Sequence, residues 1–368
     1  MTNGEGIGMR RFEEFFDTEL APLVRRMADR PLDGDTSEND EVRAMVWQGL
    51  TSLGALRLRL PSWYGGEAAS QEDLVSVAEQ LGRVLCQGPF LDTVTATELL
   101  LGVAESSEVR GLLAEIADGA SVALAPRADA GASPADPAGM TVHGDDGLVD
   151  ARRCFVGFAP EVDHLLLVGR TPTGVRVAVT PRDHPTVSVR RHEELGRGEL
   201  YEVRCQSTPV LAWLGDGQDW AKALVTARIR QAGYLVGMAQ GAVDLAVAYA
   251  KEREQFGQPI GRFQAVAFRL AELTARIDAA RVLTRSAARR ADRGADPSLA
   301  AAQCLAAAAQ LARVSATDAM QVHGAAGMLL DSDIQLYYRR AAVEALWLGG
   351  PTQLGAEAAP LLRERVSA

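Results

Sequence analysis

Two long proline-free stretches, Ala221 to Glu254 and Arg262 to Ala295, constrain the fold of this chain more than any other feature. Both read as long helices, and a third run spans Ser298 to Gln321. Long antiparallel helices with short joints form a bundle. Gly233, Gly237 and Gly241 recur every four residues, which puts a smooth stripe on one face of the first helix and predicts close helix contact there. No Gly-x-Gly-x-x-Gly follows a strand, so a dinucleotide site of the Rossmann type is not supported.

Two other patterns precede the bundle. From Arg11 to about Asp118 apolar residues fall at helical spacing: Phe12, Phe15, Phe16, Leu20 and Leu23 on one face, and Leu74, Val77, Ala78 and Leu81 on another. Pro61-Ser62-Trp63-Tyr64-Gly65-Gly66 interrupts them as a turn. Ser70 reads as the N-cap of a helix, with Asp73 at the capping-box position. From about Ser121 to Trp213 the chain changes to short strands bounded by Gly, Pro and Asp: Val122–Leu124, Cys154–Val156, His164–Val168, Val175–Val179 and Tyr201–Val203. No helix separates these strands, which predicts a small antiparallel barrel or sandwich. Arg127 to Gly139, rich in Ala, Asp, Gly and Pro, is expected to be a mobile loop. The expected organisation is thus an α+β multi-domain chain: an N-terminal helical domain (1–118), a central antiparallel β-barrel (119–213) and a C-terminal four-helix bundle (214–368).

Composition narrows the function classes. The 368 residues are 47% hydrophobic and 23% charged, ordinary globular values. A formal net charge of -10 opposes general nucleic-acid binding. The paired arginines (152–153, 190–191, 289–290, 339–340) are scattered and expected mostly on solvated faces. Cys86, Cys154, Cys205 and Cys304 lie far apart, as do the five histidines, so neither a metal site nor a disulfide framework is expected. No apolar run approaching the ~18 residues of a membrane span is evident, and no leader segment opens the chain, which predicts a cytoplasmic protein without a membrane partner.

Three segments carry a specific resemblance. Tyr249 to Gln264 contains Arg253-Glu254-Gln255-Phe256-Gly257, Gln321 to Gly327 reads Gln-Val-His-Gly-Ala-Ala-Gly, and Leu60 to Gly66 is followed by Glu79-Gln80-Leu81-Gly82-Arg83. In this order and spacing they resemble the acyl-CoA dehydrogenase family over essentially the whole chain. The resemblance implies an FAD-dependent oxidoreductase acting on CH–CH groups of an acyl-CoA or acyl-carrier-protein thioester, with an electron-acceptor flavoprotein as partner. It implies a homodimer, a homotetramer or a heteromer with a related subunit, because the family shares its flavin groups between subunits. Carried over residue by residue, Arg253 would face the FAD pyrophosphate, Phe256 the adenine end, and Gln264 would supply a donor and acceptor. Gln321, Gly324, Ala325 and Gln353 would complete the adenine and pyrophosphate contacts.

Departures from the family pattern centre on the flavin ring and the base. Where the family has Thr-Glu-Pro beside the ring, this chain has Leu124-Ala125-Pro126-Arg127, and the later Ser or Thr is matched by Gly157. The usual C-terminal Glu aligns with Gly349, and the alternative base position, before an Arg, is Ala227. Arg228 remains as a candidate for orienting the thioester or as a structural ion pair; Asp331 and Asp333 are the nearest acids after the Gly327 turn. Four readings stay open: a partner subunit lending its flavin contacts to a Glu-bearing mate, a divergent dehydrogenase with another acid, a flavin-dependent monooxygenase of the same architecture, and a flavin-free protein that keeps only the fold.

Overall fold

The computed structural model describes residue 18 and residues 36–367, apart from 130, 145–146, 193–198 and 330–331. The apolar face from Phe12 to Leu23, and Asp331, lie outside the described residues. Four helices come first: α1 (Thr36–Ser52), α2 (Gln71–Arg83), α3 (Phe90–Gly102) and α4 (Ser107–Ala117). Ser70 caps α2 as its sequence predicts, with its backbone N–H donating to Asp73 at 2.9 Å and its hydroxyl accepting from the Asp73 N–H at 3.1 Å. The turn before it is tight because Gly66 packs on Leu60: a β-carbon there would lie 2.0 Å from the Leu60 carbonyl oxygen.

Eight strands follow: β1 (Val122–Ala125), β2 (Thr141–His143), β3 (Leu148–Gly157), β4 (His164–Thr171), β5 (Gly174–Pro181), β6 (Val187–Arg191), β7 (Leu200–Pro209) and β8 (Ala212–Asp216). They form two sheets, ordered β1-β4-β5-β8 and β2-β3-β7-β6. The expectation of purely antiparallel pairing needs one correction: β1 runs parallel to β4, with Val122 opposite His164. A parallel neighbour requires a long crossover, and here the chain supplies it by passing through β2 and β3 of the other sheet rather than through a helix. Strand β4 is buried on both faces: Leu165 and Leu167 meet the second sheet, while Leu166 and Val168 meet the helices. That is why it reads as a continuous apolar run. The Arg127–Gly139 segment is irregular as expected, but it is fastened. The Trp220 indole donates to Pro134 O at 2.8 Å, and the Gln353 amide to Gly131 O at 2.9 Å.

The C-terminal bundle comprises α5 (Gly217–Glu252), α6 (Gln264–Asp292), α7 (Ser298–His323), α8 (Ile334–Glu344) and α9 (Pro351–Ser367), with a small hairpin, β9 (Glu254–Gln255) and β10 (Gln258–Pro259), between α5 and α6. The glycine stripe meets α2 backbone to backbone. A β-carbon on Gly237 would stand 1.8 Å from Glu79 O, and one on Gly241 2.2 Å from Arg83 O. Contrary to the sequence expectation, one segment, Ser298–Met328, is apolar and long enough to cross a membrane by length and composition. Its α7 portion is the central core helix of the bundle, with Ala308, Ala309, Ala312 and Ala316 fully buried. Two of the paired arginines are likewise not solvated. Arg153 is 1% exposed and donates to Val168 O at 2.7 Å, and Arg340 is 4% exposed against Glu344. All four cysteines are buried free thiols.

Candidate functional site

The Arg253 and Gln321 segments, about seventy residues apart in the chain, meet at one end of the bundle. Tyr249, in the last turn of α5, stacks on His323, the last residue of α7, with ring centroids 4.4 Å apart. Arg253 ends α5 as its C-cap, with its N–H donating to Tyr249 O at 2.8 Å, and leaves its side chain exposed. The hairpin after it turns on Phe256 (φ 53°) and Gly257 (φ 78°), between the paired residues Gln255 and Gln258. Two consecutive positive φ values suit a two-residue hairpin loop. Phe256 is nonetheless a bulky residue in the left-handed region, and it is 92% exposed. Strain spent on holding an aromatic ring in solvent points to a binding role. Phe263 supports it edge-on at 6.1 Å, and Gln264 opens α6 with an exposed side chain. Gln321, Gly324 and Ala325 are exposed beside them. Gly324 has φ 59°, and no atom lies within 4 Å of the position its β-carbon would take. A charged fork, an aromatic face, two amides and bare backbone make a surface that fits a nucleotide's adenine and phosphates.

Gln353, assigned to the same group by resemblance, stands elsewhere. Its Oε1 accepts from Gly350 N at 3.1 Å and its Nε2 donates to Gly131 O, so both ends of the amide are used within the chain.

The region expected beside the flavin ring is narrowed by side chains of the bundle, although Gly157 and Trp347 both line a cavity. Leu124 is 2% exposed, and its N–H is taken by Asp92 Oδ2 at 3.0 Å. The Trp347 ring fills the space next to Gly157, 3.1 Å from a would-be β-carbon. Arg127 crosses the same gap to donate to Leu346 O at 3.2 Å, with its guanidinium 5.6 Å over the Phe155 ring. Phe155, at φ 57°, stacks in turn on His192 at 4.7 Å. The nucleotide half of the site therefore fits FAD, whereas the ring half lacks the hydroxyls, has its Leu124 donor bonded to Asp92 and has Trp347 against Gly157.

Both positions at which the resemblance places a base are buried and inert. Gly349 has φ 129°, and Arg228 Nη2 lies 3.3 Å from the place of its β-carbon. Arg228 is 4% exposed. It donates to Leu348 O at 3.0 Å and forks onto Glu357 at 2.5 and 3.1 Å, while Ser133 Oγ donates to the same carboxylate at 3.3 Å. Of its two candidate roles, the ion pair is the one the geometry realises. Ala227 is buried at its side, and Asp333 serves as the N-cap residue of α8.

Sequence reasoning missed a second place of interest. A cavity of about 620 Å³ lies where α1, α3, the sheets and the bundle meet. Asp92, Gln231, Tyr234, Arg340, Glu344 and Trp347 contribute to its wall. Asp92 is 7% exposed, and burial pushes its carboxyl up to about 7, against the opposing pull of the Leu124 N–H and the Trp347 side chain; the nearby Glu344 charge adds to the rise. Burial raises the Tyr234 hydroxyl as well. No motif marks these residues. The legible hint was Asp92 itself, an acid in the first turn of the Phe90–Gly102 segment.

Comparison with known proteins agrees with this arrangement. The sequence model of the acyl-CoA dehydrogenase N-terminal domain matches residues 9–119, and that of the acyl-CoA dehydrogenase C-terminal domain matches residues 215–356. The chain is 30% identical to the probable acyl-CoA dehydrogenase FadE25 of Mycobacterium tuberculosis over 362 residues, covering 90% of this chain and 91% of that one. It is 27% identical to the 3-(aryl)acrylate reductase of Clostridium sporogenes over 361 residues, covering 91% and 96%. Among solved structures, a variant of the Tcur3481-Tcur3483 steroid ACAD superimposes with a TM-score of 0.81 at 27% identity, covering 97% of this chain and all of the other. The ChsE4-ChsE5 complex from Mycobacterium tuberculosis has the same fold, with a TM-score of 0.82 at 22% identity over the full length of both chains. Helical domain, paired sheets and bundle, in this order and with the Arg253 and Gln321 segments joined, make this chain a member of the acyl-CoA dehydrogenase family.

Proposed function

We propose that this chain is the flavin-clamping partner subunit of a heteromeric acyl-CoA dehydrogenase-type enzyme. In the assembled protein a related, Glu-bearing subunit would hold the isoalloxazine ring and the acyl thioester of CoA or a carrier protein. The observation that carries the reading is Trp347 packed against Gly157, where the family needs room and a hydroxyl for the ring. The intact nucleotide surface at the other end of the bundle supports the rest. Arg253 would pair with the pyrophosphate, Phe256 would cover the adenine, and Gln264 and Gln321 would supply donors and acceptors. Bound FAD supplies the hydride acceptor for α,β-dehydrogenation, and its electrons pass on to an acceptor flavoprotein. Two similar solved proteins, the Tcur3481-Tcur3483 enzyme and ChsE4-ChsE5, are named as pairs of different chains, a precedent for such an assembly.

The test is flavin stoichiometry. Purified alone, mixed with FAD and desalted, the chain should remain colourless while its circular dichroism shows a folded helical protein. Co-purified with a Glu-bearing homologue from the same organism, it should carry about one FAD per pair of chains and support dye-coupled oxidation of an acyl-CoA. One tightly held FAD per chain in the homomer, with turnover, would overturn the proposal in favour of a self-sufficient flavoenzyme.

A further inference from the structure

We infer that the outer face of the second sheet docks an acidic helix of a partner protein, with Arg152, Arg190 and Arg204 pairing to its carboxylates. The inference is independent of the flavin reading, which makes no use of this face.

Strand alternation builds the face. Val189 and Val203 turn inward onto the core of the β-domain, so Ser188, Arg190, Glu202 and Arg204 turn outward. Register sets Arg152 of β3 opposite Arg204 of β7, with Ser188 of β6 on its other side, and Arg190 of β6 opposite Glu202. The Glu202 side chain is thereby enclosed, at 3% exposure, while all three arginine side chains are more than half exposed. Arg152 Nε donates to Glu202 Oε2 at 3.0 Å and its Nη2 donates to the same oxygen. Arg204 Nε donates to Oε1 at 2.7 Å, and Arg190 Nη2 stands 3.6 Å from Oε2. The bonds from Arg152 and Arg204 hold the Glu202 carboxyl down to about 2, so it is an anchor of constant charge.

Folding alone does not call for this arrangement. One guanidinium would satisfy the carboxylate. Three leave a surplus of two positive charges, or of one when Asp129, whose charge also acts on Arg152, is counted. Arg152 and Arg204 are also like charges directly opposite each other, a pairing that costs stability. On a chain of formal net charge -10 this surplus is a local field of the opposite sign. An external anion relieves the repulsion, and anchoring by Glu202 reduces the side-chain freedom lost on binding.

Spacing selects the kind of anion. The face is open, so a single small ion would bury little of itself there. Neighbouring strands lie ~4.8 Å apart, so β3, β7 and β6 spread the arginines over ~10 Å across the sheet. Carboxylates at i, i+4 and i+7 of a helix share one face and rise over about the same ~10 Å. A helix laid across the strands thus meets all three guanidiniums.

The probes are two alanine-based helical peptides of ~20 residues and identical composition. One carries three glutamates at i, i+4 and i+7; in the other they are spread around the helix. Fluorescence anisotropy with a neutral dye, at low ionic strength, reports binding to the full chain. The one-faced peptide should bind at least fivefold more tightly than its isomer, and added salt should weaken it. Arg190→Gln should remove most of that preference, and as the arginine least engaged with Glu202 it can be changed without disturbing the fold. Ser188→Glu, which sets a negative charge beside Arg204 without deleting a guanidinium, should do the same. Arg276→Gln, an exposed arginine on α6, should leave binding unchanged. Sedimentation with phosphatidylglycerol vesicles is the counter-test. Equal affinity for both peptides, a preference that survives Arg190→Gln or Ser188→Glu, an equal loss in Arg276→Gln, or arginine-dependent capture by vesicles without any peptide preference would each overturn the inference.

Discussion

The Trp347 ring stands 3.1 Å from where a β-carbon on Gly157 would lie, so an aromatic side chain of the bundle closes the edge of the β-domain. The contact depends on glycine at one position and on a large ring at the other. Trp347→Ala would leave a void between the domains that neither wall can easily fill. The expected cost is about 2–4 kcal/mol in urea unfolding, toward the lower end of large-to-small aromatic changes because Trp347 is only half-buried. A loss below about 0.5 kcal/mol would show that the two walls collapse onto each other.

The exposed Arg253 and Phe256 should behave in the opposite way. Arg253 and Phe256 are exposed, so Arg253→Ala and Phe256→Ala should change the stability of the isolated chain by no more than about 0.5 kcal/mol. In the heteromer, Arg253→Ala should weaken FAD binding by ~1.5–3 kcal/mol, the scale of a hydrogen bond to a charged group. FAD-dependent thermal stabilisation reads this directly. An unchanged response would make Arg253 an ordinary surface charge.

Two glycines separate packing from propensity. Gly237→Ala drives a methyl group into Glu79 O, 1.8 Å away, and α2 must move to admit it. A loss of at least ~3 kcal/mol is expected, at the upper end of overpacking costs. Gly111, in α4, has nothing within 4 Å of its β-carbon position, so Gly111→Ala should stabilise by about 0.5–1 kcal/mol through helix propensity. Chemical denaturation of both variants tests the pair, and equal effects would mean that the α2–α5 contact is looser than its geometry.

Much of this architecture was legible because periodicity reports burial directly. The Ser70–Asp73 capping box, the glycine stripe of α5 and the doubly buried β4 each left a local pattern that the structure realises. The parallel β1–β4 pairing left none, because a crossover through a second sheet looks like consecutive hairpins. Strand β6 was missed for a related reason: it is largely exposed, and Arg190 and Arg191 break its alternation. The Arg253 and Gln321 segments stood out by their motifs, and the structure brings them together. The cavity was not, since Asp92 and Trp347 are some 250 residues apart and meet only through three-dimensional packing.

Asp92 gives the chain a pH signature. Its carboxyl is raised from 3.8 to about 7, so the folded state holds a proton that the unfolded chain releases across that window. A raised acid makes stability fall as pH climbs from about 4 to about 7, with the full cost present above 7 and none below 4. Asp92→Asn keeps an acceptor for the Leu124 N–H and removes the charge. Its stability relative to the unsubstituted chain should therefore improve between pH 4.5 and pH 8, by on the order of 3 kcal/mol. A difference that stays constant across the range would mean that Asp92 titrates as an ordinary carboxylate.

Gly349→Glu is the most demanding change, because it places the family's acid where the resemblance expects one. Two features of the structure oppose it. The backbone at Gly349 has φ 129°, a conformation that a side chain adopts only with strain of ~1–3 kcal/mol. A β-carbon there would also sit 3.3 Å from Arg228 Nη2, so the new carboxylate would compete with Glu357 for the guanidinium. An acid held by a neighbouring arginine is shifted below its ordinary range and becomes a weak base. Trp347 stays against Gly157 whatever stands at 349. The variant alone should thus be destabilised and should still fail to reduce a dye with butyryl-CoA or octanoyl-CoA. Turnover restored by Gly349→Glu in the homomer, at a rate comparable with its Glu-bearing relatives, would mean that the flavin ring does enter this chain and that only the base had been lost.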